Sequence, residues 1–169
     1  MKKILLILCL MVATVASTTA QKYAFIDVEY ILSQMPDYTK AQKEIDDLAE
    51  KWQGEIQAAY AGIDKKIAEL KQEEIVLPTE AKKKRQAEIS QMQQEAQKLQ
   101  QQRFGVNGDL FKKRQELIEP IQKKIYKEVK NMSDDKGYDF VLDKGKNSNI
   151  LFVNSKYDKS DYIIKQLEN

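Results

Sequence analysis

The side chains most able to do chemistry here are acids and bases without a partner of the usual catalytic kind. The chain has 169 residues, no histidine and one cysteine, Cys9. That removes the commonest general base, the physiological-pH switch and the commonest metal ligand together. Asp27, Asp143 and Asp158 are spaced as a possible carboxylate site, but each precedes a helix or lies at a turn, where an aspartate caps backbone N–H groups. Lys82, Lys83, Lys84 and Arg85 form the densest basic run. Such a run can touch anionic lipid or acidic protein, or pair with Glu73, Glu74 and Glu80 on a solvated helix. No nucleophile–base pair stands out. The chain reads as a non-enzyme with no cofactor and no metal, so its chemistry is that of binding.

Charge and export come from one segment. Lys2 and Lys3 precede an apolar run, Ile4 to Val12, and a small-residue stretch, Ala13 to Ala20. This is the pattern of a signal peptide, too short to span a bilayer, with cleavage expected after Ala20. The 28 basic and 26 acidic residues of the whole chain become 26 of each without residues 1–20. A neutral mature chain argues against nucleic-acid binding. Cys9 leaves with the segment, so disulfides hold nothing together.

The elements that must position the remaining groups follow from periodicity. Tyr23-Ala24-Phe25-Ile26 reads as a strand over 22–27. Asp27 caps a short helix with Val28, Ile31, Leu32 and Met35 on one face, ended by Pro36. From 37 to about 76 runs one long helix. Ala41, Ile45 and Leu48 are followed by Trp52, Ile56 and Ala59, then by Ile63, Ile67 and Leu70, each triplet shifted by eleven residues. Eleven residues in three turns give a nearly straight, narrow stripe that suits one partner helix. Gly54 and Gly62 soften this helix. Pro78 turns the chain at 75–79. A returning helix carries Arg85, Ile89, Met92, Ala96, Leu99, Arg103, Val106 and Leu110 on its stripe. It is thin: residues 91–102 include seven glutamines. At about 1.5 Å per residue the arm extends on the order of 50 Å.

Gly105-Val106-Asn107-Gly108-Asp109 breaks the return, with Asn107 or Asp109 as a new cap and Gly105 and Gly108 as a hinge. Pro120 predicts a kink without an end, since Leu117, Ile118, Ile121, Ile125, Val129 and Met132 continue the stripe. Gly137 stops the helix. Tyr138 to Leu142 and Ile150 to Val153 read as two strands of a β-hairpin over 138–153, and Asp158 caps a last helix.

The expected fold is α+β: a long antiparallel helical hairpin inserted in a small β-rich body. Residues 1–20 are the signal peptide, 21–36 plus 130–169 the discontinuous body, and 37–129 the hairpin arm. A three-stranded body of this size has open edges and little core, and assembly of copies at the base solves both problems. Phe25, Ile26, Phe140, Leu142, Leu151 and Val153 are the expected assembly residues. Apolar groups off the seam, namely Tyr60, Val76, Leu77, Phe104 and Phe111, are the candidate contacts for a bound chain; the competing reading packs them inside the hairpin.

With Tyr23-Ala24-Phe25-Ile26-Asp27 at one end, Gly137-Tyr138-Asp139-Phe140-Val141-Leu142-Asp143 and a capped helix at the other, and a charged hairpin between, the chain resembles the Skp/OmpH family. The resemblance spans essentially the whole mature chain. It implies an ATP-independent periplasmic holdase: a homotrimer whose tentacles surround a cavity for unfolded outer-membrane proteins. Two features depart from that family's pattern. The mature charge is neutral where members are often basic, which weakens the case for charge-driven client capture and for a lipopolysaccharide site. The Gly105–Asp109 break is the other. The alternative from a different class is a structural coiled-coil adaptor of the cell envelope.

Overall fold

The computed structural model describes residues 21–73, 75–146 and 148–168. The expected signal segment, residues 1–20, lies outside them. The elements run β1 (Tyr23–Ile26), α1 (Val28–Ser33), α2 (Pro36–Glu73), α3 (Thr79–Phe104), α4 (Asp109–Lys136), β2 (Phe140–Asp143), a 3₁₀ turn (Ser155–Tyr157) and α5 (Ser160–Leu167). The chain divides into two compact units. One holds the described residues up to 31 and from 125 onward; the other holds residues 32–124.

In the first unit, β1 and β2 pair in parallel, with Tyr23 opposite Phe140, Ala24 opposite Val141, Phe25 opposite Leu142 and Ile26 opposite Asp143. A parallel pair needs a long crossover, and the helical insertion between the two strands provides it. Asp139 N–H donates to the Lys22 carbonyl and Lys144 N–H to that of Ile26, extending the ladder at both ends. This corrects the expected β-hairpin. Residues 150–153 are not a strand, and among the described residues the sheet has two strands rather than three. Their alternating β-favouring residues have no partner strand, because the chain crosses to the other edge of β1. There Phe25 bridges Asp158, and Lys159 N–H donates to the Phe25 carbonyl over 2.7 Å. Leu151 is left fully in solvent and Phe152 is 82% exposed.

The unit's small core holds Ala24, Ile26, Ile31, Ile125, Met132 and Ile163, all buried. Asp27 Oδ1 accepts from Tyr30 N–H at 2.9 Å and so caps α1. Gly137, at φ +65°, stops α4 in the left-handed conformation that glycine adopts without strain.

The second unit is a helical hairpin. All nine apolar positions of the α2 stripe are buried or half-buried, from Ala41 to Leu70. Ile63, Ile89 and Ala96 form a buried cluster with Ala59, Ile67, Leu70 and Met92 packed against it, joining α2 to α3. Small residues keep this seam thin. An open groove of about 240 Å³ runs along Ala59, Ile63, Met92, Ala96 and Leu99.

Cross-helix ion pairs flank the seam in antiparallel register. Arg85 meets Glu73 at 2.7 Å, Lys66 meets Glu88 at 3.0 Å, Lys113 meets Glu44 at 3.0 Å and Lys124 meets Asp37 at 3.0 Å. Lys124 holds the Asp37 carboxyl below its ordinary range, and Glu44 raises Lys113. These exposed pairs set register more than stability. Pro120 lies inside α4 without ending it.

Val106 departs from the expected stripe. It is 98% exposed, because α3 ends at Phe104 and the break resets the helical phase before Leu110, which is half-buried.

Candidate functional site

The aspartates that could have formed a reactive site are occupied by backbone. Asp143 Oδ1 accepts from Gly145 N–H at 2.9 Å. Asp158 Oδ1 accepts from the Ser160 amide at 2.9 Å and its hydroxyl at 2.6 Å, while Oδ2 pairs with Lys144 Nζ at 3.0 Å. Burial pushes Asp158 up, but Ser160 and Lys144 outweigh it and hold the carboxyl below its ordinary value. Ser160 Oγ in turn accepts from Asp27 N–H at 2.8 Å. The network fastens the start of α5 to the end of β1. Among the described residues, no group of three His, Cys, Asp or Glu could hold a metal ion.

The candidate binding groups lie along the second unit on separate stretches. Val76 is 79% exposed in the turn between α2 and α3, and Leu77 beside it is half-buried. Ile75, 96% exposed, belongs with them and was not among the expected contacts. Its signal was available: three consecutive apolar residues precede a turn-forming proline. Tyr60 is exposed on α2, its hydroxyl 3.4 Å from Gln100 Oε1. Phe104 and Phe111 are exposed on either side of the break. Phe104 meets the Trp52 ring edge-to-face at 6.5 Å.

In the basic run, Arg85 pairs with Glu73, and Lys83 lies 3.7 Å from Glu80. Lys82 and Lys84 have no ion pair among the described residues.

The break itself is tightly specified. A Cβ on Gly105 would overlap the Gln101 carbonyl, and one on Gly108 would stand 2.8 Å from the Gln102 carbonyl oxygen. Asn107 takes φ 59°, a left-handed conformation that asparagine tolerates better than most residues. Asp109 is the first residue of α4 rather than the residue before it. Its carboxylate accepts from Arg103 Nη1 at 2.6 Å. Arg103 Nη2 lies 3.7 Å from Glu55, and its guanidinium stacks 4.8 Å over the Trp52 ring. Sequence reasoning placed Arg103 and Trp52 on the two stripes without pairing them. A guanidinium on an otherwise apolar stripe, opposite the chain's sole tryptophan, was the missed signal.

In the first unit, Phe25 is half-buried and Ile26 buried in β1, while Phe140 and Leu142 on β2 are exposed. Tyr23 joins Phe25 edge-to-face at 5.9 Å and Tyr157 at 5.0 Å. Leu151 and Val153 belong to the irregular segment, Val153 half-buried. The structure thus brings Phe25 opposite Leu142 and leaves Leu151 apart from the sheet.

No helix among the described residues is long and apolar enough to cross a membrane. Comparison with curated proteins gives no match. Among solved structures, the chain is similar to a candidate OmpH-like outer membrane chaperone from Caulobacter crescentus CB15. The TM-score is 0.71 at 10% identity, over 90% of this chain and 86% of that one, a likeness of fold. The family profile "Outer membrane protein (OmpH-like)" matches residues 22–167. With nearly all the described residues inside that match, the chain belongs to the OmpH-like outer membrane protein family.

Proposed function

We propose that this protein is an ATP-independent periplasmic holdase that binds unfolded outer-membrane proteins and prevents their aggregation. The observation that carries the reading is the arrangement of exposed apolar groups. Ile75, Val76, Tyr60, Phe104 and Phe111 are dispersed along a polar hairpin whose own seam is filled by other residues. A client that must be held without being folded is best met by weak, scattered contacts, since none of them demands a fit. Family membership gives the same direction, and the Caulobacter protein is described as a candidate outer membrane chaperone.

The working form is a homo-oligomer, three copies by the family resemblance, with a cavity between helical arms. Exposed Phe140, Leu142 and Leu151, together with Ile26, Phe25 and Val153, are the assembly surface. The exposed strand-prone segment around Phe152 supports this, because copies of it would bury the surface that one chain leaves in water. Lys82, Lys83, Lys84 and Arg85 add a cationic contact near the turn for anionic lipid or an acidic client.

The test dilutes an unfolded outer-membrane β-barrel protein out of urea, with and without residues 21–169, and follows turbidity. Suppression near one oligomer per client, without ATP, is expected. No suppression by a well-folded oligomer overturns the reading and favours the envelope adaptor.

A further inference from the structure

We infer that Arg103 is a latch that holds the α3–α4 break against α2, and that its release lets α3 move away from α2 about Gly105–Gly108. Three segments converge on this one side chain: Trp52 and Glu55 from α2, Phe104 beside it at the end of α3, and Asp109 at the start of α4.

The contacts differ in kind from a core. They are polar and partly exposed, and one of them, to Glu55 at 3.7 Å, is loose. Arg103 Nε is buried and has no hydrogen-bond partner among the described residues.

The break is built to turn once freed. Gly108 N–H donates to the Gly105 carbonyl at 2.8 Å, and Lys112 N–H reaches back to Gly108 at 3.0 Å. Glycine at 105 and 108 gives the backbone between these bonds wide freedom. Away from the break, α3 is held to α2 by a thin seam: Ile89 and Ala96 are its buried residues, with Met92 packed beside them. The groove of about 240 Å³ beside Ala59 and Ala96 shows how few atoms the α2–α3 seam interlocks. Movement of α3 opens only this thin seam of Ile63, Ile89 and Ala96 and the Arg85–Glu73 and Lys66–Glu88 pairs, so the Arg103 guanidinium carries a large share of the hold at the break end.

On the holdase reading, which this step rests on only for its consequence, unlatching widens the space a bulkier client can fill.

The mature chain contains no cysteine, which makes distances easy to measure. Asp64→Cys on α2 and Gln93→Cys on α3, both exposed positions, are spin-labelled, and labelled chains are diluted with unlabelled ones. Electron–electron dipolar distances are then compared between Arg103, Arg103→Gln and Arg103→Lys backgrounds. Arg103 is expected to give one narrow distance. Arg103→Gln should broaden and lengthen it, with helical content unchanged. Arg103→Lys should fall between, since lysine keeps the charge but not the fork or the stack.

Amide exchange gives a second readout. Residues 101–112 should exchange about tenfold faster in Arg103→Gln, while residues 41–48 of α2 stay as they were. An unchanged distance distribution overturns the latch. So does exchange that rises equally along the whole hairpin, which marks Arg103 as a general stabiliser. Neither result depends on turbidity, so loss of the holdase reading and loss of the latch are separable.

Discussion

At residues 75–78 the hairpin turns on a proline and leaves Ile75 and Val76 in solvent. At 105–108 it turns on two glycines and an asparagine and is fastened by Arg103. The first turn makes few demands. Pro78 cannot donate to a helix ending before it and suits the start of the one after it, so any soluble residues would serve at 75 and 76. Apolar residues there are therefore available for contact with something else. The second turn is dictated by close approach of the backbone to itself. Residue choice reports on what a turn must do: apolar and unneeded at the first, small or left-handed and indispensable at the second.

Alanine at position 105 is the strongest way to break this contrast. Its Cβ would overlap a backbone carbonyl that cannot move aside without unwinding the last turn of α3. The expected cost is about 3 kcal/mol, and somewhat less for Gly108→Ala. It is measured by chemical denaturation at fixed protein concentration, because self-association of copies would make stability depend on concentration. A cost below about 0.5 kcal/mol at both positions would mean that the break is as permissive as the first turn.

A smaller effect comes from the other unit, where a partly buried charge is fastened in the same style. Asp158 accepts from Ser160 and pairs with Lys144, and its carboxyl lies below the ordinary value of 3.8. A depressed carboxyl contributes stability above its unfolded pKa and loses it as pH falls through the folded value. Asp158→Asn should cost about 1.5–2 kcal/mol at pH 7. The gap to the unmodified protein should narrow once pH drops below about 4 and close below the folded value. A gap independent of pH would show that Asp158 acts through shape rather than charge.

How far the sequence revealed this molecule depends on how local each determinant is. The α2 stripe, the turn at Pro78, the stop at Gly137 and the cap at Asp27 are written in neighbouring residues, and the structure has each of them. The sheet is not. Ile150 to Val153 carry good β-forming residues, but a strand is made by its partner, and β1 takes β2 on one edge and the Asp158 segment on the other. Val106 fell off the stripe because a periodicity cannot be carried across a break whose geometry is unknown. Arg103 was visible as a residue and invisible as a junction, since Trp52 and Glu55 come to it from the other helix and Asp109 from across a break whose geometry is not local.

Gly54 sharpens the comparison from the opposite side. It is a glycine in the middle of α2, and a Cβ there would meet nothing within 4 Å. Its value to the fold is only conformational freedom, so Gly54→Ala should stabilise the chain by about 1 kcal/mol. If it destabilises instead, an unseen neighbour in the assembled form covers that face of the helix.

The smallest expected effect on stability is at the first turn, and it decides what the turn is for. Ile75→Ser and Val76→Ser remove side chains that touch almost nothing, so each should change unfolding by less than about 0.5 kcal/mol. The same pair of substitutions should weaken suppression of client aggregation, since the removed groups are among the most exposed apolar ones on the hairpin. Equal stability with weaker holding would separate binding from folding in one variant. Unchanged holding would move the client contacts to Tyr60, Phe104 and Phe111. A stability loss above about 1 kcal/mol would mean that the turn packs against another copy in the assembly, and the contrast between the two turns would then be one of partner rather than of need.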